Sequence, residues 1–262
     1  MNMSEDNSIL FARLDDLCNY ADGGELKSSC FLSPRELHFS GLYLERRGFG
    51  GGRVLEWGGY DGAERKKLFV LPEYMDGVSE YRELSDFGYE DTIVALSVKG
   101  SGYKRLNHRD FLGSVLGLGL KRDVIGDIIV DGTEATIFCE AAVADFICNA
   151  LTKVGSDTVK VAKKTIEADF LPQRQFLHIN DTVASARLDC IVAAVCSLSR
   201  ERAREAVVAG LAELDYETEE RPDRTVSAPA VLTVRGYGKF KINSVSETTK
   251  KGRIRLSADK YL

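Results

Sequence analysis

The amino-acid sequence predicts an α+β protein made of several domains, and three observations support this fold class. The chain has 262 residues, which is long for one ordinary domain. Apolar residues make up 44% and charged residues 29% of it, as in globular proteins. The order of helix-like and strand-like patterns changes twice along the chain. We therefore expect an N-terminal α/β domain over 1–80, a middle domain over 81–165, a linker over 166–180 and a C-terminal domain over 181–262.

The N-terminal domain is predicted to contain helices followed by a short hairpin. Ser33–Glu36 has the form of a capping box, with a hydroxyl at the N-cap, Pro at the first helical position and Glu at the third. The helix that begins there is expected to run to about Arg47 and to end in the glycine-rich stretch Gly48–Gly52. Two strands are predicted after it, over 53–57 and 67–71.

The middle domain shows the order β-α-β-β-α-β. Strands are predicted over 92–99, 124–130, 134–139 and 158–163, and helices over 107–118 and 141–154. Asp131-Gly132 is the hairpin signal between the two middle strands. This order is the split βαβ plan of ferredoxin-like and RRM-like domains. Phe138 is the one aromatic residue in its strand, so the spaced aromatics that stack RNA bases on such sheets are missing there.

The C-terminal domain is predicted to begin with two helices and to continue with short strands. The first helix is expected over 186–195. Ser199 can cap the second helix, and Gly210 can end it as the left-handed residue. The strands are predicted over 212–216, 231–235, 238–244 and 253–257.

The second of these helices has two interpretations. At 100° per residue, Arg200 and Arg204 flank one side of an apolar face. Two arginines beside the positive N-terminus of a helix suit a phosphate backbone. The same pattern also fits an amphipathic surface helix with solvated charges. The apolar face consists of Ala203, Ala206, Val207 and Leu211.

Charge and cysteine content limit the function classes. The formal net charge is −5, which argues against a uniformly basic surface for nucleic acid, although basic residues are clustered. The six cysteines include no C-x-x-C pair, and the chain has only three histidines. We therefore expect buried, reduced cysteines, no metal site and no cofactor.

No targeting or membrane segment is recognised. No apolar run approaches the roughly 20 residues that span a bilayer, and the start of the chain lacks the pattern of a secretory signal. These features predict a cytoplasmic protein.

The C-terminal domain resembles the S4 RNA-binding module. Arg187-Leu188-Asp189, Ser199–Glu205 and Val207–Gly210 are similar to the family pattern R-L-D, S-R-x-x-A and an apolar pair followed by Gly. Leu214-Asp215-Tyr216 departs from the V-N-G turn of many members, which puts any RNA contact from this turn in doubt. Val234–Lys241 is similar to the ending V-R-G-x-G-[KR]-[FY]-K of one branch of the family.

That branch is the YlmH-like family, S4 proteins of bacteria encoded near cell-division genes. Gly59–Lys67 resembles its segment G-Y-x-G-A-E-R-K-[KR]. Leu106–Gly113 and Gly119–Ile128 resemble its motifs L-x-H-R-D-x-L-G and G-[IL]-x-R-x-x-[IL]-G-D-I. Together the motifs extend over nearly the whole chain.

The resemblance implies an S4 domain of the αL type and a monomer that binds structured rRNA or tRNA. The implied partner is the large ribosomal subunit carrying peptidyl-tRNA, in ribosome-associated quality control. Because a carboxylate near phosphate is repelled, Asp189 is expected to orient Arg187 or a helix end rather than to meet RNA. The expected RNA contacts are Arg187, Ser199, Arg200, Arg202 and Arg204, with Arg235, Lys239 and Lys241 as a second strip. Auxiliary candidates are Arg65, Lys66, Lys67, Arg109, Lys121 and Arg122.

The sequence also lacks the motifs of several enzyme classes. Gly48–Gly52 lacks P-loop spacing and follows a helix, and His108-Arg109-Asp110 lacks the other kinase motifs. S4 modules also occur on RNA-modifying enzymes, but no G-x-G-x-x-G for a methyl donor is present. We expect no catalytic residue. An RNA-modifying enzyme subunit and an adaptor of the cell-division machinery are the two alternatives.

Overall fold

The computed structural model describes residues 5–50, 52–90, 92–103, 105–167, 170–172, 176–248 and 252–261. Gly51 of the glycine-rich stretch and residues 168–169 and 173–175 of the predicted linker lie outside this set. The chain divides into two compact units, Met1–Pro172 and Gln173–Leu262. Both contain helices and sheets, which confirms the predicted mixture of helix and strand.

The first unit contains thirteen labelled elements. In chain order they are α1 (Glu5–Asp22), β1 (Lys27–Ser28), α2 (Pro34–Arg46), β2 (Val54–Trp57), β3 (Lys67–Val70), β4 (Ile93–Lys99), α3 (His108–Leu116), β5 (Ile125–Asp131), β6 (Glu134–Glu140), α4 (Ala141–Ala150), β7 (Lys153–Val154), β8 (Asp157–Thr158) and β9 (Lys160–Lys164). The helix predicted over 141–154 ends early because β7 and β8 pair with each other instead.

The predicted capping box at the start of α2 is confirmed. The backbone N–H of Glu36 donates to the Ser33 hydroxyl oxygen over 3.3 Å, and the Ser33 N–H donates to the Glu36 carboxylate over 2.7 Å. Two backbone N–H groups at the start of the helix, which have no carbonyl partner within it, thus have acceptors. The hairpin of β2 and β3 follows, and β1 adds to the other edge of β3.

A four-stranded antiparallel sheet forms the second part of this unit. Its strand order is β5-β6-β4-β9. One face packs on α3 and α4 and encloses a core that includes Leu96, Phe111 and Ile147. The turn between β5 and β6 contains Gly132 at φ 63°, so the predicted hairpin is confirmed.

The other face of this sheet is partly covered by the preceding segment. Phe31, Tyr60 and Ala63 pack there against Ile93 and Phe138. Phe138 is only 1% exposed, so it cannot stack on an RNA base. The predicted domain boundary after residue 80 falls inside the first unit, since side chains from both sides of it share this cluster.

The second unit contains two helices and six strands. In chain order they are β10 (Phe176–Val183), α5 (Leu188–Val195), α6 (Arg200–Val208), β11 (Ala212–Leu214), β12 (Glu217–Thr218), β13 (Ala230–Val234), β14 (Gly238–Thr248) and β15 (Ile254–Tyr261). Residues 176–180 were predicted to be linker, which is wrong because they pair with the end of β15. Nothing local marks this strand, since its partner lies about eighty residues later in the chain.

The strands of the second unit form one antiparallel sheet in the order β10-β15-β14-β13-β11-β12. Both helices pack on the same face of it. Ile191 from α5 and Val207 from α6 share a core with Phe240 and Ile242 from β14. Neither of these two helices packs on the opposite face of the sheet. Among those residues, no helix is long and apolar enough to cross a membrane.

Candidate nucleic-acid interface

The two helices of the second unit bring their N-termini to one place. Arg187 is the N-cap residue of α5, and Arg200 is the first residue of α6. Ser199 caps α6 as predicted, because its hydroxyl oxygen accepts the backbone N–H of Arg202 over 3.3 Å. Gly210 follows the C-cap residue of α6 at φ 66°, which confirms it as the left-handed residue that ends the helix.

Asp189 connects the two helix N-termini. Its carboxylate accepts the Nε–H of Arg187 over 3.1 Å and an Nη2–H of the same residue over 3.3 Å. The Nε–H of Arg200 donates to the same carboxylate over 3.3 Å. Asp189 is 2% exposed, whereas the two arginine side chains are 40% and 60% exposed. The expectation that Asp189 orients Arg187 is confirmed, and it also orients Arg200.

The charges of this cluster are fixed by the hydrogen bonds. Burial acts to raise the pKa of the Asp189 carboxyl, but hydrogen bonds from Arg187, Cys190 and Arg200 outweigh burial and lower it. The hydrogen bond to Asp189 raises the pKa of Arg187. One carboxylate therefore holds two guanidinium groups, which leaves one net positive charge at two converging helix N-termini.

Two further arginines extend this surface along α6. Arg202 and Arg204 are exposed, while Ala203 between them is buried in the core. Both side chains therefore face solvent. At 100° per residue Arg204 lies beside Arg200, whereas Arg202 lies on the opposite flank of α6. We name Arg187, Ser199, Arg200, Arg202 and Arg204 the helix face. Its free N–H groups can donate to phosphate oxygens.

Lys239 and Lys241 lie on the other side of the sheet from the helix face. The alternating residues of β14, Phe240 and Ile242, are fully buried against the helices. Successive side chains of a strand point to opposite faces, so the two lysines point away from α5 and α6. The predicted second strip therefore does not form one continuous surface with the helix face.

Arg235 lies in the turn that connects β13 to β14, two residues after Thr233, which pairs with Lys239. It is exposed, and its backbone N–H donates to the carbonyl of Leu211 over 2.9 Å, just beyond the C-terminal end of α6. Arg200 is at the opposite end of this nine-residue helix, about 13 Å away at 1.5 Å per residue.

Aromatic partners of Lys239 were missed by sequence reasoning. Its Nζ lies 5.5 Å from the ring centroid of Tyr216 and 5.0 Å from that of Tyr261. Tyr216 sits at φ 67° and Asp215 at φ 48° in the turn between β11 and β12. The departure from V-N-G therefore keeps a left-handed turn but adds an aromatic ring. Only the distant pairing of β14 with β15 brings Tyr261 beside it.

Three auxiliary candidates have structural partners instead of free donors. Arg65 donates to the carbonyls of Ile125 over 3.0 Å and Phe31 over 2.9 Å. Arg122 donates to the carbonyl of Gly126 over 3.0 Å. Burial lowers the pKa of Arg122 to about 10, with a further contribution from the nearby Arg65.

Lys67 is the third of these structural cations. It is only 4% exposed, and its Nζ lies 3.1 Å from a carboxylate oxygen of Glu140. Lys66 pairs with Glu56 over 3.1 Å at the surface, and Arg109 and Lys121 are exposed. Of the six auxiliary candidates, Arg109 and Lys121 are exposed, and Lys66 is partly buried, as are Arg65 and Arg122.

Asp127 joins two of the three upstream motifs, Gly59–Lys67 and Gly119–Ile128. It accepts the Tyr60 hydroxyl over 2.7 Å, the Glu64 N–H over 2.8 Å and the Arg65 N–H over 3.0 Å. One buried carboxylate thus holds the turn of the first motif against β5. Asp127 lies within the motif Gly119–Ile128, but the motif alone does not indicate which groups donate hydrogen bonds to it.

The cysteines are free thiols in the structure. Burial raises the pKa of Cys139 to about 12 and that of Cys196 to about 11, so neither is a reactive thiolate at neutral pH. Among the described residues, no cluster of histidine, cysteine and acidic side chains could hold a metal ion.

The chain is similar to known proteins in both sequence and structure. Residues 86–168 match a family model described as "Putative RNA-binding domain in YlmH". The chain is 30% identical over 237 residues to "Ribosome-associated protein quality control protein P2" of Bacillus subtilis (strain 168), covering 90% of this chain and 87% of that protein. It also resembles the solved structure "Cell division protein ylmH from Streptococcus pneumoniae". That match has a TM-score of 0.50 and 18% identity, and it covers 63% of this chain and 94% of the other.

Proposed function

The chain belongs to the YlmH family, and from this premise we propose that it binds structured RNA through the helix face of its second unit. The observation that carries the proposal is the carboxylate of Asp189, which holds Arg187 and Arg200 at two converging helix N-termini. Preorganised guanidinium groups lose less side-chain freedom on binding than free ones. Their remaining N–H groups suit the oxygens of a phosphate backbone.

The proposed partner is the large ribosomal subunit that carries peptidyl-tRNA, in ribosome-associated quality control. The name of the Bacillus subtilis relative supports this assignment, since that protein is described as a quality-control protein associated with the ribosome. The matched family model supports RNA as the ligand. Neither description names an enzyme, and we propose a binding role without catalysis.

We also propose that the two units correspond to known RNA-binding folds. The strand order β5-β6-β4-β9 with α3 and α4 on one face supports an RRM-like, split βαβ domain in the first unit. The paired helices α5 and α6 on a small sheet support an S4 domain in the second. In this proposal the ring of Phe138 does not itself stack on a base, because that side chain is buried.

The proposed contacts divide into a principal and a secondary group. The helix face is the principal group. Arg235, Lys239 and Lys241 are secondary, because they lie at other places on the same unit. Among the auxiliary candidates, Lys66, Arg109 and Lys121 remain as contacts, whereas the donors of Arg65, Lys67 and Arg122 are engaged within the protein.

The test is charge reversal on α6. Arg202→Glu/Arg204→Glu is the preferred double variant, because both side chains are exposed and neither carries the Asp189 hydrogen bonds. Each phosphate contact adds to the salt dependence of binding. We expect affinity for purified large subunits to fall at least about tenfold, and the slope of log K against log salt to shrink by about two.

Co-sedimentation at several salt concentrations measures both quantities. The matched control is Arg46→Glu/Lys153→Glu, which makes the same change of charge at exposed sites of the first unit. The control should bind like the wild type. A folded Arg202→Glu/Arg204→Glu protein with wild-type affinity and salt slope would show that the helix face does not contact RNA.

A further inference from the structure

A cleft of about 620 Å³ lies in the first unit, on the sheet face opposite α3 and α4. Ala95 and Phe138 form part of its floor. Trp57 and Tyr81 form one side, with ring centroids 5.4 Å apart and planes inclined by 14°. Its volume falls within the usual range of small-molecule sites, about 300–1,000 Å³. The cleft is thus lined by flat aromatic surfaces and has the size of a single small ligand.

Charged side chains surround this aromatic cleft. Arg82 is exposed at its edge, and Lys164 projects from β9 with its Nζ 5.3 Å from the ring centroid of Phe170. Lys164 also donates to the Thr136 hydroxyl over 3.2 Å, which holds its ammonium group over the sheet. Asp61 and Glu167 line the edge as well. Their carboxylates can accept hydrogen bonds from the exocyclic amino group of a base.

We propose that this cleft binds one unpaired nucleobase of an RNA strand, with the adjoining phosphate between Arg82 and Lys164. Aromatic side chains stack on any base, and cations beside them hold the backbone. The segment that supplies the floor and Lys164 lies within residues 86–168, which match the RNA-binding family model. The inference rests on the proposed function in that the ligand is RNA. It assigns a site in the first unit, distinct from the helix face of the second.

Trp57 provides a direct readout, because it is the only tryptophan in the chain. The full-length protein is titrated with a short single-stranded oligoadenylate, and Trp57 fluorescence is excited at the red edge, where adenine does not absorb. Stacking of a base near Trp57 should give a saturable change in emission. Arg82→Glu should weaken this binding about tenfold, as expected for loss of one charge-assisted contact.

Arg46→Glu is the matched control, since Arg46 is an exposed arginine of the same unit that does not line the cleft. It should respond like the wild type. The proposal is overturned if oligoadenylate gives no saturable change, or if Arg82→Glu binds no more weakly than Arg46→Glu. A response to an apolar peptide without a response to oligoadenylate would also overturn it, and would assign the cleft to a protein partner.

The outcomes separate this site from the helix face. Arg202→Glu/Arg204→Glu should keep the Trp57 response in full while it loses affinity for large subunits. Conversely, if the Trp57 response is absent but subunit binding still depends on α6, the cleft proposal fails and the proposed function stands.

Discussion

Buried carboxylates at two positions contact neighbouring arginines in different ways. Asp189 holds Arg187 and Arg200 with their free N–H groups toward solvent. Asp127 instead accepts the backbone N–H of Arg65, whose guanidinium turns inward to main-chain carbonyls. Arg187 and Arg200 therefore keep N–H groups for a ligand, whereas the guanidinium of Arg65 stabilises the fold. The difference is that a carboxylate accepts from the first two and main-chain carbonyls accept from the third.

The substitution Asp189→Asn tests the first of these arrangements. The neutral amide accepts more weakly from the two guanidinium groups, so we expect the free energy of unfolding near neutral pH to fall by about 2 kcal/mol. Urea unfolding followed by circular dichroism measures it. Asp181→Asn, at an exposed position of the same unit, should change it by less than about 0.5 kcal/mol. Equal effects of the two substitutions would contradict a special role for Asp189.

The pH dependence of the same variant follows from the lowered pKa of Asp189. A carboxyl whose pKa is lower in the folded than in the unfolded state stabilises the fold above the unfolded pKa. That contribution disappears as the pH falls through the folded value, which lies below the usual 3.8. The stability difference between wild type and Asp189→Asn should therefore be constant near neutrality. It should shrink as the pH falls from the usual pKa of 3.8 through the lower pKa of the folded state. A stability difference that grows in acid would contradict the lowered pKa of Asp189.

At the scale of the element, the ends of helices follow local rules. The capping box of α2, the Ser199 cap of α6 and the left-handed Gly210 were all predicted from short sequence patterns and are present. Each depends on residues within four positions of one another, so distant packing has little influence on it.

Glycine substitutions in two helices test this local control. Gly210→Ala places a Cβ at φ 66° and should lower the free energy of unfolding by about 1 kcal/mol. Gly113 is an exposed residue within α3, and a Cβ there meets nothing within 4 Å. Gly113→Ala should therefore raise stability by up to about 1 kcal/mol, through helix propensity. Thermal unfolding followed by circular dichroism would show opposite shifts of the midpoint. Shifts of the same sign would contradict the assignment.

At the scale of the whole molecule, the chain contains two units with separate cores. The core of the second unit includes Leu188, Val207 and Phe240, and it shares no residue with the described clusters of the first unit. Each unit thus encloses its own apolar core, as independently folding domains do.

Separate expression of residues 1–172 and 173–262 tests this division. We expect each fragment to unfold in one cooperative transition, because its core is complete. Urea titration followed by circular dichroism gives the transitions, and the full-length chain is the reference. A fragment without a cooperative transition would show that its core depends on the other unit.

Most of the helices and strands, and the family of the chain, could be predicted from the sequence alone. Periodicity and turn residues predicted the hairpin after α2, the β-α-β-β-α-β order and the paired helices α5 and α6. Motifs spread along the chain predicted the YlmH family, which the comparisons bear out. These features can be predicted from the sequence because they depend on neighbouring residues in the chain or on the order of short motifs.

The neighbours of many side chains could not be predicted from the sequence and are known only from the folded structure. Lys67 was predicted as an auxiliary RNA contact, yet it is buried beside Glu140. Lys239 and Lys241 were predicted as a second strip of RNA contacts, and the alternation of β14 and the position of its core put them on the sheet face opposite the helices. The strand Phe176–Val183 exists because β15 pairs with it. Each outcome depends on a partner far away in the sequence, and local patterns carry no information about that partner.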